Sequence, residues 1–239
     1  MSEVYKLINI PDFHKQRIGV ATIEQFSNAD KEQTKVLEKT LSNIYLYSVL
    51  NKDTMHIRPL FNDEYSYQTI YVIRATIKTD NNLAEVSRII HSAFAEPVMI
   101  FFQLNDKEYL SLATKRRNKI ETSKTITEDF ILEEISDMDI CYLDFKNISA
   151  EDLKQFYEKV YNILYKVRFR KITGIYAQKE IPNLKQLIDE YENAQAELNR
   201  LKQEYSEASM MNEQMIIDEQ MFEQENKQKE IINKLKGEM

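Results

Sequence analysis

Glycine is nearly missing from this sequence, at 3 of 239 residues. Loops that cradle phosphate need glycine at fixed positions, so the Rossmann and P-loop nucleotide-binding patterns are excluded. Few tight turns with positive φ are expected either. There is one cysteine, Cys141, and no tryptophan. A single thiol builds neither a disulfide framework nor a cysteine-based metal site within the chain, which fits a reducing cytoplasm. His14, His56 and His91 lie far apart and share no ligand-like spacing, so no metal site and no cofactor is expected. The N-terminus has no basic segment followed by an apolar run, the mark of a signal peptide. The longest apolar stretch, Pro97 to Phe102, falls far short of the ~20 residues of a spanning helix. The expectation is a cytoplasmic protein that does not engage a membrane.

What the sequence does have is enough apolar material for a core: 43% of residues are hydrophobic and 30% charged, ordinary for a globular chain. The net charge is −7 and is unevenly placed. From Lys185 to Met239 there are 13 acidic and 7 basic residues, and the rest of the chain holds 26 against 25. The excess acid therefore sits in the C-terminal part, and the overall basicity of a dedicated nucleic-acid binder is absent.

Residues 1–29, with Pro11, read as an irregular lead-in holding one short strand. Asp30 and Gln33 have capping-box spacing, and Leu37, Leu41, Ile44, Tyr45 and Leu50 follow at helical intervals, predicting one helix through Leu50. Met55 to Leu60 and Thr69 to Thr79 read as strands on either side of an Asn62 to Ser66 turn. Asn82, with Glu85 three residues on, opens a helix striped by Leu83, Val86, Ile89, Ile90 and Phe94. Val98 to Leu104 is a continuous apolar run of strand length, expected at the centre of a sheet with both faces buried. Asn105 and Asp106 turn it into a partner strand, Glu108 to Ala113. Phe130 to Ile135 and Ile140 to Phe145 read as a second hairpin about Ser136–Asp139, with Cys141 a buried, inert thiol in its second strand. Ser149, with Asp152 in the box position, opens a helix carrying Leu153, Phe156, Tyr157, Val160, Tyr161 and Leu164. Strands interspersed with helices imply an α/β (α+β) head over residues 1–182, a mixed sheet covered by helices.

After Pro182 a heptad seam begins. Leu184, Leu187, Tyr191, Ala194, Leu198, Leu201, Tyr205 and Ala208 recur in steps of three and four, the pattern of a coiled coil. The register slips near Asn212 and resumes with Met215 and Met221 or Phe222. Such a slip is either a stutter in one helix or a turn between two antiparallel helices. With no proline or glycine between Asn183 and Lys236, one long coiled-coil helix over 183–239 is favoured. The Met-rich stretch Met210, Met211, Met215, Met221 offers an adaptable apolar surface.

Two basic clusters are candidates for phosphate contact: Lys115, Arg116, Arg117 and Lys119 after the Glu108–Ala113 strand, and Lys166, Arg168, Arg170 and Lys171 after the Ser149 helix, where Phe169 could stack a base. Cations at helix ends and in solvated loops account for the same residues without a ligand. Asp144-Phe145-Lys146 has the Asp-x-Lys form of metal-dependent nuclease sites, with Asp137 or Asp139 as a second ligand. Three residues in a chain with 39 acids are matched by chance, so no catalytic residue is assigned.

The order of parts, with Ala95-Glu96-Pro97-Val98-Met99-Ile100-Phe101-Phe102, the ending Leu110-Ser111-Leu112-Ala113-Thr114-Lys115-Arg116 and the heptad tail, resembles a bacterial domain-of-unknown-function family, DUF4391. Members of that family lie beside DNA helicases and methyltransferases in restriction-like phage-defence loci. Relatives often carry Glu-x-Lys in the strand matching Thr69–Thr79, where this chain has Arg74 and Thr76, which weakens a nuclease reading. A second family segment in the tail is loosely matched by Gln220-Met221-Phe222. The resemblance implies an accessory subunit of a defence complex and no reaction. The expectation is therefore a non-enzymatic assembly subunit whose tail makes a homo-oligomer or docks on a helicase or methyltransferase. Nucleic-acid binding by the head and metal-dependent cleavage are the alternatives.

Overall fold

The computed structural model describes residues 7–11, 15–121, 125–177 and 181–237; His14 lies outside them. The chain divides into two compact units, Met1–Leu164 and Tyr165–Met239.

The first unit is built on a six-stranded sheet. Its strands are β1 (Gln16–Arg17), β2 (Leu41–Leu50), β5 (Ile70–Ile77), β6 (Val98–Leu104), β7 (Lys107–Arg117) and β8 (Thr125–Ile135), side by side in that order. A small separate hairpin pairs β3 (Leu60–Phe61) with β4 (Ser66–Tyr67). All neighbours in the large sheet are antiparallel except β5 and β6. Parallel neighbours need a crossover, and α4 (Leu83–Ala93) supplies it. The chain is thus a mixed α/β fold, as the alternation of patterns implies.

Val98 to Phe102 are all buried, so β6 is the doubly covered central strand its continuous apolar run predicts. Val98, Ile100 and Phe102 join one core cluster with Ile73, Ala75 and Ile77 of β5 and Leu83, Val86, Ile89 and Ile90 of α4. Ile23 of α1 (Val20–Ser27) and Leu37 of α2 (Lys31–Thr40) close the same cluster. Met99 and Phe101 alternate to the other face of the strand and are equally buried. Tyr157, from the first part of α6 (Leu153–Thr173), ties off the end of the β6–β7 ladder. Its hydroxyl lies 2.8 Å from the Val98 carbonyl and 3.0 Å from that of Ala113, and it accepts the Ala113 N–H at 2.9 Å.

Several sequence expectations are corrected. Asp30 does cap a helix, with the reciprocal Gln33 bond present, but the helix stops at Thr40 and Leu41 to Leu50 is strand β2. The strand expected over Met55 to Leu60 does not form: Met55 ends the short helix α3 (Lys52–Met55), capped by Asn51, and β3 begins only at Leu60. Asn82 opens α4 without a side-chain cap, because it sits in the left-handed region itself, at φ 61°. The second hairpin does not form. β8 pairs with β7, and Asp137 to Leu143 is a helix, α5, with a Ser136/Asp139 capping box. Cys141 is consequently on a helix and exposed, not buried in a strand. The cap of α6 is Asp152, whose Oδ1 accepts the Gln155 N–H at 2.9 Å, rather than Ser149.

The scarcity of glycine does not remove left-handed turns. Asn9, Asn28, His56, Asn82, Asn105 and Asn183 all take φ between 53° and 61°. Asparagine tolerates that region because its short side chain bonds locally to the backbone.

In the second unit the tail is two helices, α7 (Leu184–Glu207) and α8 (Met211–Gly237), not one. Ala208 leaves α7 with extended backbone at ψ 126°. The Gln214 side-chain amide turns back to the Ala208 carbonyl at 2.9 Å, closing the connection. The Gln228 amide donates to Gln195 Oε1 at 3.0 Å across the two helices. Of the expected seam, Ala194, Leu198 and Leu201 are buried, together with Ile188, Ile231 and Leu235. The seam that favoured an intermolecular coiled coil is therefore occupied, at Ala194, Leu198 and Leu201, by packing within the chain's own hairpin. Without proline or glycine, the slip of register near Asn212 was the signal of the turn.

Candidate functional site

Along α8 the residues turned toward α7 follow a heptad. Gln214, Ile217, Met221, Gln224, Gln228, Ile231 and Leu235 are the half-buried or buried positions at these steps. A second apolar stripe lies off that seam. Met211, Met215 and Phe222, spaced by four and seven, are 79%, 66% and 61% exposed, far more than packing residues show. Spacing of this kind places side chains on one helix face, so the three share a face, with Asp218 and Glu219 between Met215 and Phe222. Met215, Met221 and Phe222 line a shallow open depression of 600 Å³ together with Asp218, Glu219 and Glu225. Tyr205, Met210 and Ile216 are also exposed. Of the expected partner residues, then, Leu198 and Leu201 belong to the hairpin's own packing, while Met215 and Phe222 are presented outward.

The basic clusters are placed differently from the expectation. Lys115, Arg116 and Arg117 lie within β7 rather than after it, and Lys166, Arg168, Arg170 and Lys171 lie within α6. Lys115 is 2% exposed. Its Nζ donates to the carbonyls of His91 at 2.6 Å, Glu96 at 3.2 Å and Phe94, so it caps the C-terminal end of α4 from below. Arg116 pairs with Glu128 at 2.7 Å. Arg117 donates to the Asn62 carbonyl at 2.8 Å and lies over the Phe61 ring. Lys119 and Lys171 are exposed. Arg168 pairs with Glu192 at 3.3 Å. Phe169, the expected stacking platform, is fully buried and presents no face to a base.

Burial shapes the titration around Lys115. It pulls the ammonium down to about 7, with Glu96 acting in the opposite direction. Burial raises the Glu96 carboxyl, against a Ser66 hydrogen bond and the Lys115 charge. His91 is fully buried and held well below its ordinary value by desolvation and then by Lys115. Its Nε2 lies 3.0 Å from Ser111 Oγ, while its Nδ1 and the nearby Ser87 Oγ have no protein partner. His91, Ser87, Ser111 and Lys115 are buried in the sheet–helix layer, while Glu96 is half-buried. None of these contacts was legible in the sequence, because a lysine reads as surface until the strand carrying it is located.

The Asp-x-Lys segment resolves into caps. Asp144 Oδ1 accepts the Lys146 N–H at 3.0 Å and the Asn9 amide at 2.8 Å, and Oδ2 accepts the Asn147 amide at 3.2 Å. Asp139 Oδ2 accepts both the N–H and the hydroxyl of Ser136. Among the described residues no group of three His, Cys, Asp or Glu side chains is placed to hold a metal ion. No helix among them is long and apolar enough to cross a membrane. A separate cleft of 720 Å³ in the first unit is walled by Ile18, Phe26, Leu46, Tyr71 and Phe94, with Glu96 the charged residue on its wall.

No curated protein and no solved structure matches the chain. One family model does, over residues 11–227, which takes in the sheet, its helices and most of the C-terminal hairpin. The chain belongs to that family, described as a domain of unknown function, DUF4391.

Proposed function

We propose that this protein is a non-catalytic assembly subunit that docks on a protein partner through the outward face of its C-terminal hairpin. What supports the reading is the strip Met211, Met215 and Phe222, exposed at helical spacing outside the seam that holds α7 to α8. Apolar side chains aligned like this are costly to leave in water and mark interaction surfaces. Methionine lets such a surface repack around its partner. The resemblance noted in the sequence suggests a helicase or methyltransferase of a phage-defence complex as that partner.

Nucleic-acid binding by the basic clusters draws less support, since Lys115 and Phe169 are buried and Arg116 and Arg168 are paired with carboxylates. The docking reading is tested with a full-length Met211→Ser, Met215→Ser, Phe222→Ser variant. These exposed changes should leave thermal unfolding nearly unaltered and abolish co-purification of the helicase or methyltransferase that the unaltered chain brings down from native cells. A variant that retains its partner refutes docking through this face.

A further inference from the structure

Electrostatics narrows what the hairpin face accepts. From Gln203 to Asn226 the chain has no Lys, Arg or His and carries seven carboxylates. That 24-residue span therefore holds a net charge of −7, equal to that of the whole protein. Glu204 is neutralised by Arg200. Among the described residues Glu213, Asp218, Glu219, Glu223 and Glu225 have no ion-pair partner, and three of them, Asp218, Glu219 and Glu225, line the same depression as Met215, Met221 and Phe222.

We propose that the occupant of this face is a basic amphipathic helix of a partner protein, an inference that rests on the docking reading. The apolar strip runs from position 211 to 222, or about 16 Å at 1.5 Å per residue. Three anchors over that length fit about three turns of a facing helix that presents its own apolar residues at i, i+3 or i+4 and i+7. Lysines or arginines flanking those anchors meet Asp218, Glu219 and Glu225, where complementary charge steers encounter and sets register. A second copy of this chain fits poorly. A two-fold contact apposes the same patch on both subunits, and here it would set unpaired carboxylates against one another. Nucleic acid and anionic lipid surfaces are repelled by the same charges.

The test uses the full chain and a fluorescent synthetic peptide of Leu and Lys patterned as an amphipathic helix, read by anisotropy. A scrambled peptide of the same composition, which has no apolar face, is the control. The patterned peptide should bind more tightly than the scrambled one and weaken as salt rises from about 50 to 300 mM. Combined Asp218→Lys, Glu219→Lys and Glu225→Lys should weaken it about tenfold or more, as should Phe222→Ser. The same number of reversals at Glu38, Asp63 and Asp106, exposed acids of the first unit, should leave binding unchanged. Equal binding of both peptides, equal loss in the control reversals, or no binding at all overturns the inference. So does light scattering that shows a dimer abolished by Met215→Ser, which would make the occupant a second copy. If the serine variant loses its native partner while the reversal variant keeps it, the docking reading stands and the basic helix falls. If the serine variant keeps the partner, the docking reading itself fails.

Discussion

The ammonium of Lys115 donates to the carbonyl of His91 at 2.6 Å, at the last turn of α4. A helix leaves its final carbonyls without intrahelical donors, and a cation there also meets the negative end of the helix dipole. In this fold the donor is the strand residue immediately after a bulge: the β7–β8 register shifts between Ala113 and Lys115.

Lys115 makes stability depend on pH. Burial holds the folded group near 7, against 10.5 in the unfolded chain. Between those values the unfolded state binds the extra proton, so raising the pH favours folding. Stability should climb from pH 7 to about 10, where the buried hydroxyls of Tyr67 and Tyr157, both raised by desolvation, begin to favour the unfolded state. His91 acts at the other end. It stays neutral when folded, so stability should fall as pH drops below 6.5. Urea titrations across pH check both limbs. In Lys115→Met the climb above pH 7 should vanish, and about 1–3 kcal/mol should be lost at pH 7 because three carbonyls lose their donor.

Tyr157→Phe isolates the tie at the end of β6 and β7. It keeps the ring and removes the hydroxyl that bridges Val98 and Ala113. A loss of about 1–3 kcal/mol is expected, with an unchanged denaturant slope. A loss below about half a kcal/mol would show that the ladder end is satisfied otherwise.

Asp144→Ala should behave as the loss of a cap, costing about 1 kcal/mol, with the neutral Asp144→Asn costing less. Added Mg²⁺ should shift the melting temperature of neither the parent nor the variants. A Mg²⁺-dependent shift lost in Asp144→Ala would restore the metal reading.

Cys141 should react with a thiol reagent in the folded protein at nearly the rate seen after unfolding, because it is exposed on α5. Protection of more than about tenfold would contradict that placement.

The missed elements have physical causes. β2 reads as helical because Leu41, Ile44, Tyr45 and Leu50 fall at helical intervals, and its buried residues Leu41, Ile44, Tyr47 and Leu50 do recur every three positions. Two irregularities in its pairing with β5, at Leu41/Asn43 and Leu46/Ser48, insert the extra residues that produce this spacing. α5 looked like a strand because Ile140, Cys141 and Tyr142 favour one. The Ser136-x-x-Asp139 capping box was the contrary signal in plain view. Of the proposed docking face, the methionines are legible as an adaptable surface. Which of them point outward is not, because that depends on the partner helix of the hairpin.

By itself the sequence determined the central strand at Val98–Leu104, the cap at Asp30, the heptad seam from Leu184 and the concentration of acid in the tail. These follow from local periodicity and charge, which need no knowledge of distant residues. The tertiary structure alone decided that Leu41–Leu50 is extended, that Lys115 faces inward onto α4, and that the register slip in the tail is a turn at Ala208 rather than a stutter. Each turns on contacts between segments far apart in the chain, and burial against such a neighbour outweighs local propensity. Once α7 and α8 take up each other's seam, Met211, Met215 and Phe222 are left facing water.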